Sequence, residues 1–587
     1  MKKFSFGLIG LLAIPFVSGC FSNGYSDIKD FRDFIVPLYS LTDSSTTTDI
    51  KNLKVKDVVF KIANFEQEVP YITINEYASL YDNLLAEGYE SKINYSTWGI
   101  YKDNVLQFYF DVDVNKKEIT VAGDLTSTLK DRPDYSKTTL NYALKNEVLP
   151  VKSTRASYVY SYKDMGFRTV TILGLSYIPL SLFNLSIYSE ANVGFFYNFD
   201  ESNLGLYQYS DYSQLSNSYI RDGEELNAFS NIDASINKTG IVPTSLVNDK
   251  LSSVYYVFTN MYGLKSKYHF KEMKEYLEMN QELYDKFASN NLETFKSSLG
   301  ELIASFDDGH TSVSSSSITP LGLPGPSLGE MWMHRLEVYH QLLDDRKAVY
   351  DSLGLEEGEV IYSEDSTLAF FPFNSFRFAY DAYDEDGHLT EKAYKEDTFL
   401  MLVDKFNQIK EKGTVKDVIV DLSTNTGGVL GAMIKILALI SKHNRVTSYF
   451  KYDNLNAIFG YSTQVDTNQD GSYDEEDVFG DDFKIYLLTS ELSFSCGNAL
   501  PYLADKNNIA TIIGRTSGGG ECVVGSNILS TGEYFTHSSL MHIGWYNDKD
   551  GFIGDEDGVS PSSEHKMDLN KYFDIENWRS ILWKQNY

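Results

Sequence analysis

At 587 residues the chain is long for one folding unit, and about 150 residues per domain points to three or four. Apolar residues make up 42%, with 43 Tyr and 36 Phe, which excludes a low-complexity disordered chain; a net charge of −31 and a pI near 4.7 argue against nucleic acid as a partner and against electrostatic adsorption to anionic lipid. Three cysteines, at 20, 496 and 522, exclude a disulfide-dense scaffold.

The first residues, Met1-Lys2-Lys3, are basic, residues 4–17 are apolar but too short for a good membrane span, and Val17-Ser18-Gly19-Cys20 closes the segment. This resembles a bacterial lipoprotein signal over residues 1–20. It implies that Cys20 is lipidated and becomes the mature N-terminus, holding the protein by a lipid anchor on the extracellular face of the cell membrane. Residues 21–53 read as a polar tether. Residues 54–242 read as an α+β N-terminal module, with strands at 57–62 and 71–74, a helix at 76–85, and a hairpin of 105–114 with 118–122 turning at Asn115-Lys116. Val69-Pro70-Tyr71-Ile72 is partly echoed by Tyr177-Ile178-Pro179-Leu180, and residues 210–237 read as loop.

Residues 243–330 form a helical segment, with helical spacing at 268–277 and 283–295, leading to the polar turn Phe306-Asp307-Asp308-Gly309-His310-Thr311. A Ser/Pro/Gly loop follows at 313–326. Within 331–587 the pattern predicts a helix at 331–352, a strand at 367–372, an amphipathic helix at 395–412, a strand at 418–422, a helix at 429–442 and strands at 485–488 and 512–513. The first of the last three strands runs into Ser423-Thr424-Asn425-Thr426-Gly427-Gly428, and the last into Ser517-Gly518-Gly519-Gly520.

The strand at 485–488 leads through Ser493-Phe494-Ser495-Cys496-Gly497 to a helix for which Asn498 is the expected N-cap, with Pro501 in its first turn. Ser495 thereby sits just ahead of a helix N-terminus, where amide groups and the helix dipole stabilise negative charge. Acyl transfer needs a nucleophile in such a place. Between the strands, residues 466–477 carry oxygen-bearing side chains Asp466, Asn468, Asp470, Asp474 and Asp477, with Gly471 sixth and Ser472 seventh. The spacing fits a twelve-residue calcium loop, with Asp477 in place of the usual bidentate Glu; a solvated acidic turn is the alternative. Such a calcium would be structural, and no cofactor is expected for catalysis.

Taken in order, the His310 turn, Asp421–Gly428, Phe494-Ser495-Cys496, the glycine turn at 518–520 and Asp555-Glu556-Asp557-Gly558-Val559-Ser560-Pro561 resemble the serine peptidase family of tricorn protease, the C-terminal processing (tail-specific) proteases and a chlamydial secreted protease. The likeness covers residues 251–573. It implies an α/β catalytic core of βα crossovers, ClpP/crotonase-like, in a tail-specific-protease-like domain at 331–587. The tail-specific members place a lysine about 25 residues after the serine, and no lysine lies between Asn507 and Asp548, so His310 is the expected base. The resemblance further implies Ser495 as nucleophile, the amides of Cys496 and of Gly427 or Gly428 as oxyanion hole, and Asp555 or Glu556 as the acid orienting His310. The longer side chain slightly favours Glu556. Whether Cys496 and Cys522 pair is left open. The substrate would be a peptide or protein. Ser423 stands where the family has Arg, so the alternative is a catalytically inactive lipoprotein of peptidase fold that binds peptides or proteins.

Overall fold

In the computed structural model, the short apolar runs become the strands of a parallel sheet. The structure describes residues 31–40, 54–63, 66–130, 134–152, 157–191, 193–199, 204–210, 220–221, 224–225, 236, 239–313 and 328–584. The proposed lipidation site at Cys20, most of the tether and the loop at 314–326 lie outside these residues. Among them no helix is long and apolar enough to cross a membrane.

The chain divides into two compact units, one of residues 1–133, 154–329 and 524–539, the other of residues 134–153, 330–523 and 540–587. The second unit holds a five-stranded sheet in the order Ile361–Tyr362, Leu368–Pro372, Asp417–Asp421, Lys484–Thr489, Thr511–Gly514, parallel except for the first pair. Successive side chains on a strand point to opposite faces, and here both faces are covered. Val418, Val420, Ile485 and Leu487 enter one core with the helices Thr398–Lys412, Leu430–Leu439 and Cys496–Lys506. Ile419, Tyr486 and Leu488 enter the other with Glu330–Leu353 and Ile575–Lys584. This helix-sheet-helix sandwich is the α/β core expected from the sequence. An antiparallel layer in the same unit pairs Val446–Tyr452 with Ala457–Val465, and the latter with Leu144–Lys152.

The first unit carries a seven-stranded and a five-stranded sheet with the helices Leu180–Ala191, Thr244–Asn260, Met273–Met279, Gln281–Phe287 and Leu292–Phe306. The predicted hairpin is present as Val105–Asp113 with Glu118–Gly123. The two echoing segments pair with each other, Ile72 opposite Ile178 and Tyr71 opposite Pro179.

Several boundaries differ from expectation. Residues 31–40, read as tether, form a strand against Lys54–Ala63 that buries Val36 and Leu38. The helix expected at 76–85 is the short Ile74–Ser79, capped by Thr73. The helices expected at 268–277 and 283–295 are replaced by three, because Asn280 and the Asn291 cap interrupt the periodicity. The helix expected at 395–412 is broken at Asp397, whose carboxylate accepts the amides of Phe399 and Leu400 at 2.7 and 3.0 Å and starts a new helix.

Candidate active site

The strand Lys484–Thr489 ends in a turn laced by serines: Ser490 Oγ donates to Ser423 O at 2.5 Å and Ser493 Oγ to Leu422 O at 2.7 Å. The helix then starts at Cys496, with Ser495 as its N-cap residue at φ 55°, ψ −126°. Positive φ in a non-glycine residue is held only by surrounding structure and costs about 1–3 kcal/mol. Here the elbow is fixed by Ser495 N–H to Gly519 O at 2.9 Å, Phe494 N–H to Asn425 O at 3.1 Å and Asn498 N–H to Ser495 O at 2.9 Å. Phe494 and Cys496 are buried whereas Ser495 is half-buried, so the sharp turn presents the hydroxyl residue alone. The N-cap is thus Ser495 and not Asn498, because Asn498 is already inside the helix and uses its amide elsewhere.

The glycine turn after Asp417–Asp421 lies against this elbow. A Cβ on Gly427 would meet Ser495 Cβ at 2.8 Å and Cys496 N at 3.2 Å; one on Gly428 would meet Phe376 O at 2.3 Å. Both positions therefore require glycine for close approach as well as for their φ of 112° and 139°. The Gly427 N–H donates to Asn425 Oδ1 at 2.9 Å. Cys496, as the first helical residue, has no intrahelical acceptor for its N–H. Its thiol donates to Gly428 O at 3.2 Å, and burial pushes the thiol pKa up to about 12, unsuited to a nucleophile. Cys496 and Cys522 are free, so the open question of their pairing is answered: no disulfide joins them.

The turn at 518–520 links the elbow to the acidic segment. Gly519 approaches Glu556 so closely that a Cβ would fall 1.9 Å from its carbonyl oxygen. Glu521 N–H donates to Glu556 Oε2 at 3.1 Å, and Glu556 N–H to Glu521 Oε2 at 3.2 Å. Asp555 is buried and faces the other way: Asn498 Nδ2 donates to its Oδ2 at 2.6 Å, and Ser517 Oγ donates to Asn498 Oδ1 at 2.6 Å. Burial, reinforced by Glu521 and Glu556, raises the Asp555 pKa well above the ordinary carboxylate value. Ser495, Cys496, Gly427, Gly428, Asp555 and Glu556 are thus gathered in the second unit.

His310 belongs to the first unit. The helix Leu292–Phe306 ends at Asp307, in the left-handed conformation, and the next turn is organised by Asp308, which accepts His310 N–H at 3.0 Å and the Tyr262 hydroxyl at 3.1 Å. His310 is buried, and burial lowers its pKa below 6.5 against the opposing pull of Asp308, so the imidazole favours its neutral form.

Sequence reasoning missed Arg346. This residue of the Glu330–Leu353 helix is fully buried, 3.3 Å from Asp421 Oδ2, 3.0 Å from Thr424 Oγ1 and 2.8 Å from Glu357 Oε1. It brings a guanidinium to the Asp421 loop, in which Ser423 stands where the family pattern has Arg. Only the fold brings it there; an arginine in an otherwise ordinary helix gives no signal. The sequence also missed His542, which lies between Glu521 Oε1 at 2.7 Å and Asp453 Oδ2 at 3.2 Å and is pushed up to about 12 by hydrogen bonds that outweigh its burial. Glu521, Cys522 and His542 offer ligand-type atoms within 4.8 Å of one another, but as an ion-paired imidazolium His542 already has partners without a metal. The residues of the acidic loop, Asp466, Asn468, Asp470, Ser472, Asp474 and Asp477, lie in one turn between Ala457–Val465 and Lys484–Thr489.

Ser495 thus stands half-exposed on a strained strand-to-helix elbow against the Gly427-Gly428 turn, a geometry suited to presenting a hydroxyl to a substrate. Residues 390–564 match the profile of Peptidase family S41, and this stretch carries the elbow, the glycine turn and the acidic segment. Among solved structures, a putative peptidase from Parabacteroides merdae is 18% identical over 51% of this chain and 88% of its own, with a TM-score of 0.35. A lipoprotein from Streptococcus agalactiae is 13% identical over 55% and 91%, with a TM-score of 0.32. A photosystem II D1 C-terminal processing protease is 12% identical over 37% of this chain with a TM-score of 0.26, and the chain spans 49% of its length. No curated protein matches the chain.

Proposed function

We propose that the protein is a serine endopeptidase, held by lipidated Cys20 on the extracellular face of the membrane, that cleaves peptides or proteins through an acyl-enzyme. Ser495 Oγ attacks the scissile carbonyl while His310 takes its proton, and the oxyanion is met by the amides of Cys496 and Gly428, since that of Gly427 is already engaged. His310 returns the proton to the leaving amine, and water hydrolyses the ester by the reverse sequence. The carboxylate at 556, or that at 555, orients His310.

The observation that carries this reading is the Ser495 elbow, which accepts a φ unfavourable for serine while leaving that residue half-exposed against Gly427. The inactive alternative rests on Ser423 and on the unusual acid motif at 555–557; Arg346 bears on the first by giving Asp421 a cation. A fluorophosphonate probe on the purified protein tests the proposal. Labelling and peptide hydrolysis are expected, with Ser495→Ala losing label and at least ~10³-fold in kcat. A wild type that neither labels nor cleaves, or a Ser495→Ala protein that still turns over, overturns it. Cys20→Ser is expected to move the protein out of the detergent phase; unaltered partitioning and mass refute the anchor.

A further inference from the structure

The acidic turn at 466–477 lies outside the peptidase chemistry, and its side chains are arranged for a ligand. Asp466 directly follows the strand Ala457–Val465 and is only 8% exposed. Its Oδ2 accepts the Gly471 N–H at 3.1 Å, which aims the carboxylate into the loop, and its Oδ1 is buried there with no hydrogen-bond partner. A buried carboxylate oxygen without a donor is costly and calls for a cation.

The side chains that follow fold over the same turn. Asn468 Oδ1 accepts Asp470 N–H at 2.9 Å, and Asp470 Oδ1 accepts Ser472 N–H at 2.7 Å. The reversal runs through Gln469 at φ 59° and Gly471 at φ 84°. Nothing lies within 4 Å of a Cβ built on Gly471, so its left-handed backbone alone calls for glycine at the sixth position. Asp477, fully buried, closes the loop: its Oδ1 accepts Thr467 N–H at 2.7 Å and its Oδ2 accepts Asp474 N–H at 3.2 Å. Among the described residues no lysine or arginine pairs with Asp466, Asp470, Asp474 or Asp477, and the nearby His443 pairs with Glu475 at 2.9 Å.

We propose that residues 466–477 bind one calcium ion, through side-chain oxygens of Asp466, Asn468, Asp470, Asp474 and Asp477 and the carbonyl of Ser472. An all-oxygen, multi-carboxylate donor set of this spacing suits a hard cation that accepts six to eight ligands, and disfavours zinc or copper. Asp477 is short and occupied by backbone amides, so the affinity falls in the weak range, with a Kd on the order of 10⁻⁴ M. The loop joins the antiparallel layer to the strand that delivers Ser495. It is tied at its base by Asn444, which donates to Val465 O at 2.6 Å and accepts Val465 N–H at 2.8 Å. The ion therefore stabilises the crossover into the catalytic strand and takes no part in the reaction.

Terbium is the direct probe, because Tyr473 lies within the loop and sensitises its luminescence. In the chelator-treated full-length protein, tyrosine-excited terbium emission is expected, displaced by millimolar calcium but not by equal magnesium, together with a calcium-dependent rise in Tm. Asp470 is exposed, so Asp470→Ala leaves the fold intact. That variant should weaken terbium and calcium at least ~10-fold and abolish the rise in Tm. Ser495→Ala should bind calcium like the wild type, which separates this proposal from the peptidase assignment. Calcium that neither displaces terbium nor moves Tm overturns the proposal, as does undiminished binding by Asp470→Ala.

Discussion

Ser495 and its neighbours divide one turn between opposite environments. Cys496, one residue on, is buried against Gly428 O with a thiol pKa near 12, so Cys496→Ala should retain turnover while Ser495→Ala does not. The same alternation separates Asp555 from Glu556. Asp555 is buried, raised in pKa and hydrogen-bonded to Asn498, so asparagine there imitates the protonated acid that burial already favours. Glu556 is half-buried beside the glycine turn that also holds Ser495. Glu556→Gln is therefore expected to lose kcat by about 10³-fold or more, and Asp555→Asn only mildly, in a peptide-hydrolysis assay. The reverse order would assign the acid to Asp555, and two near-native variants would remove both. If His310 is the base, as proposed, it must be neutral to act, and burial lowers its pKa, so kcat/KM should fall as pH drops through a value below 6.5, not at or above it. At this scale the sequence was most informative where backbone geometry demands a residue type, as with Gly427 and Gly428. It was least informative where a partner arrives through the fold, as with Asn498, which resembles a cap but serves Asp555.

Strands in the parallel sheet were legible because both faces are buried, leaving short uninterrupted apolar runs such as 418–420 and 485–488. Helix ends were less so. Asp397 looks like one polar position in a helix, yet it is a fully buried cap, 3.6 Å from the equally buried Lys435, and that approach to Lys435 is not local. The strand Phe31–Ser40 was hidden by flanking polar sequence and by Pro37, although Val36 and Leu38 are buried. The Glu330–Leu353 helix shows what such long-range placement does. Arg346 lies three-quarters along it and is the cation for Asp421 at the end of the central strand, both side chains being fully buried. Removing one partner of a buried pair leaves an uncompensated charge, at about 3–5 kcal/mol. Arg346→Met should lower the unfolding free energy from urea titration by that amount, shift the midpoint down accordingly, and reduce kcat, because Asp421 also holds Ser423 N–H at 2.8 Å at the start of the glycine turn. Arg346→Lys, which keeps the charge but loses the fork, should lie between. A midpoint unchanged in Arg346→Met would show that Asp421 is held by its backbone contacts alone.

At the scale of the whole molecule, reading in chain order yields consecutive domains, whereas the compact units are interleaved: the second takes residues 134–153 from early in the chain and yields 524–539 to the first. Nothing in composition marks such an exchange, and residues 144–152 carry no motif that separates them from the rest of the 54–242 module. Their pairing is extensive, Leu144–Lys152 running antiparallel to Ala457–Val465 from Leu144 opposite Val465 to Lys152 opposite Ile458. Just before it, Thr139 is buried among three groups of the same unit: its carbonyl accepts Lys435 Nζ at 2.8 Å, its Oγ1 accepts Ala379 N–H at 2.8 Å, and its hydroxyl donates to Asp397. A fragment of residues 330–587 keeps the whole S41 match but loses all of this. It would bare the edge of the Ala457–Val465 strand, a template for aggregation, and strip a buried lysine of a carbonyl, where each unsatisfied buried group costs about 1–3 kcal/mol. The fragment is therefore expected to aggregate or to unfold without cooperativity. Fusing residues 134–152 to it should restore a monomer on size exclusion and a single urea transition. A fragment without them that is monomeric and unfolds cooperatively would mean that Thr139 and its strand are dispensable to the catalytic unit.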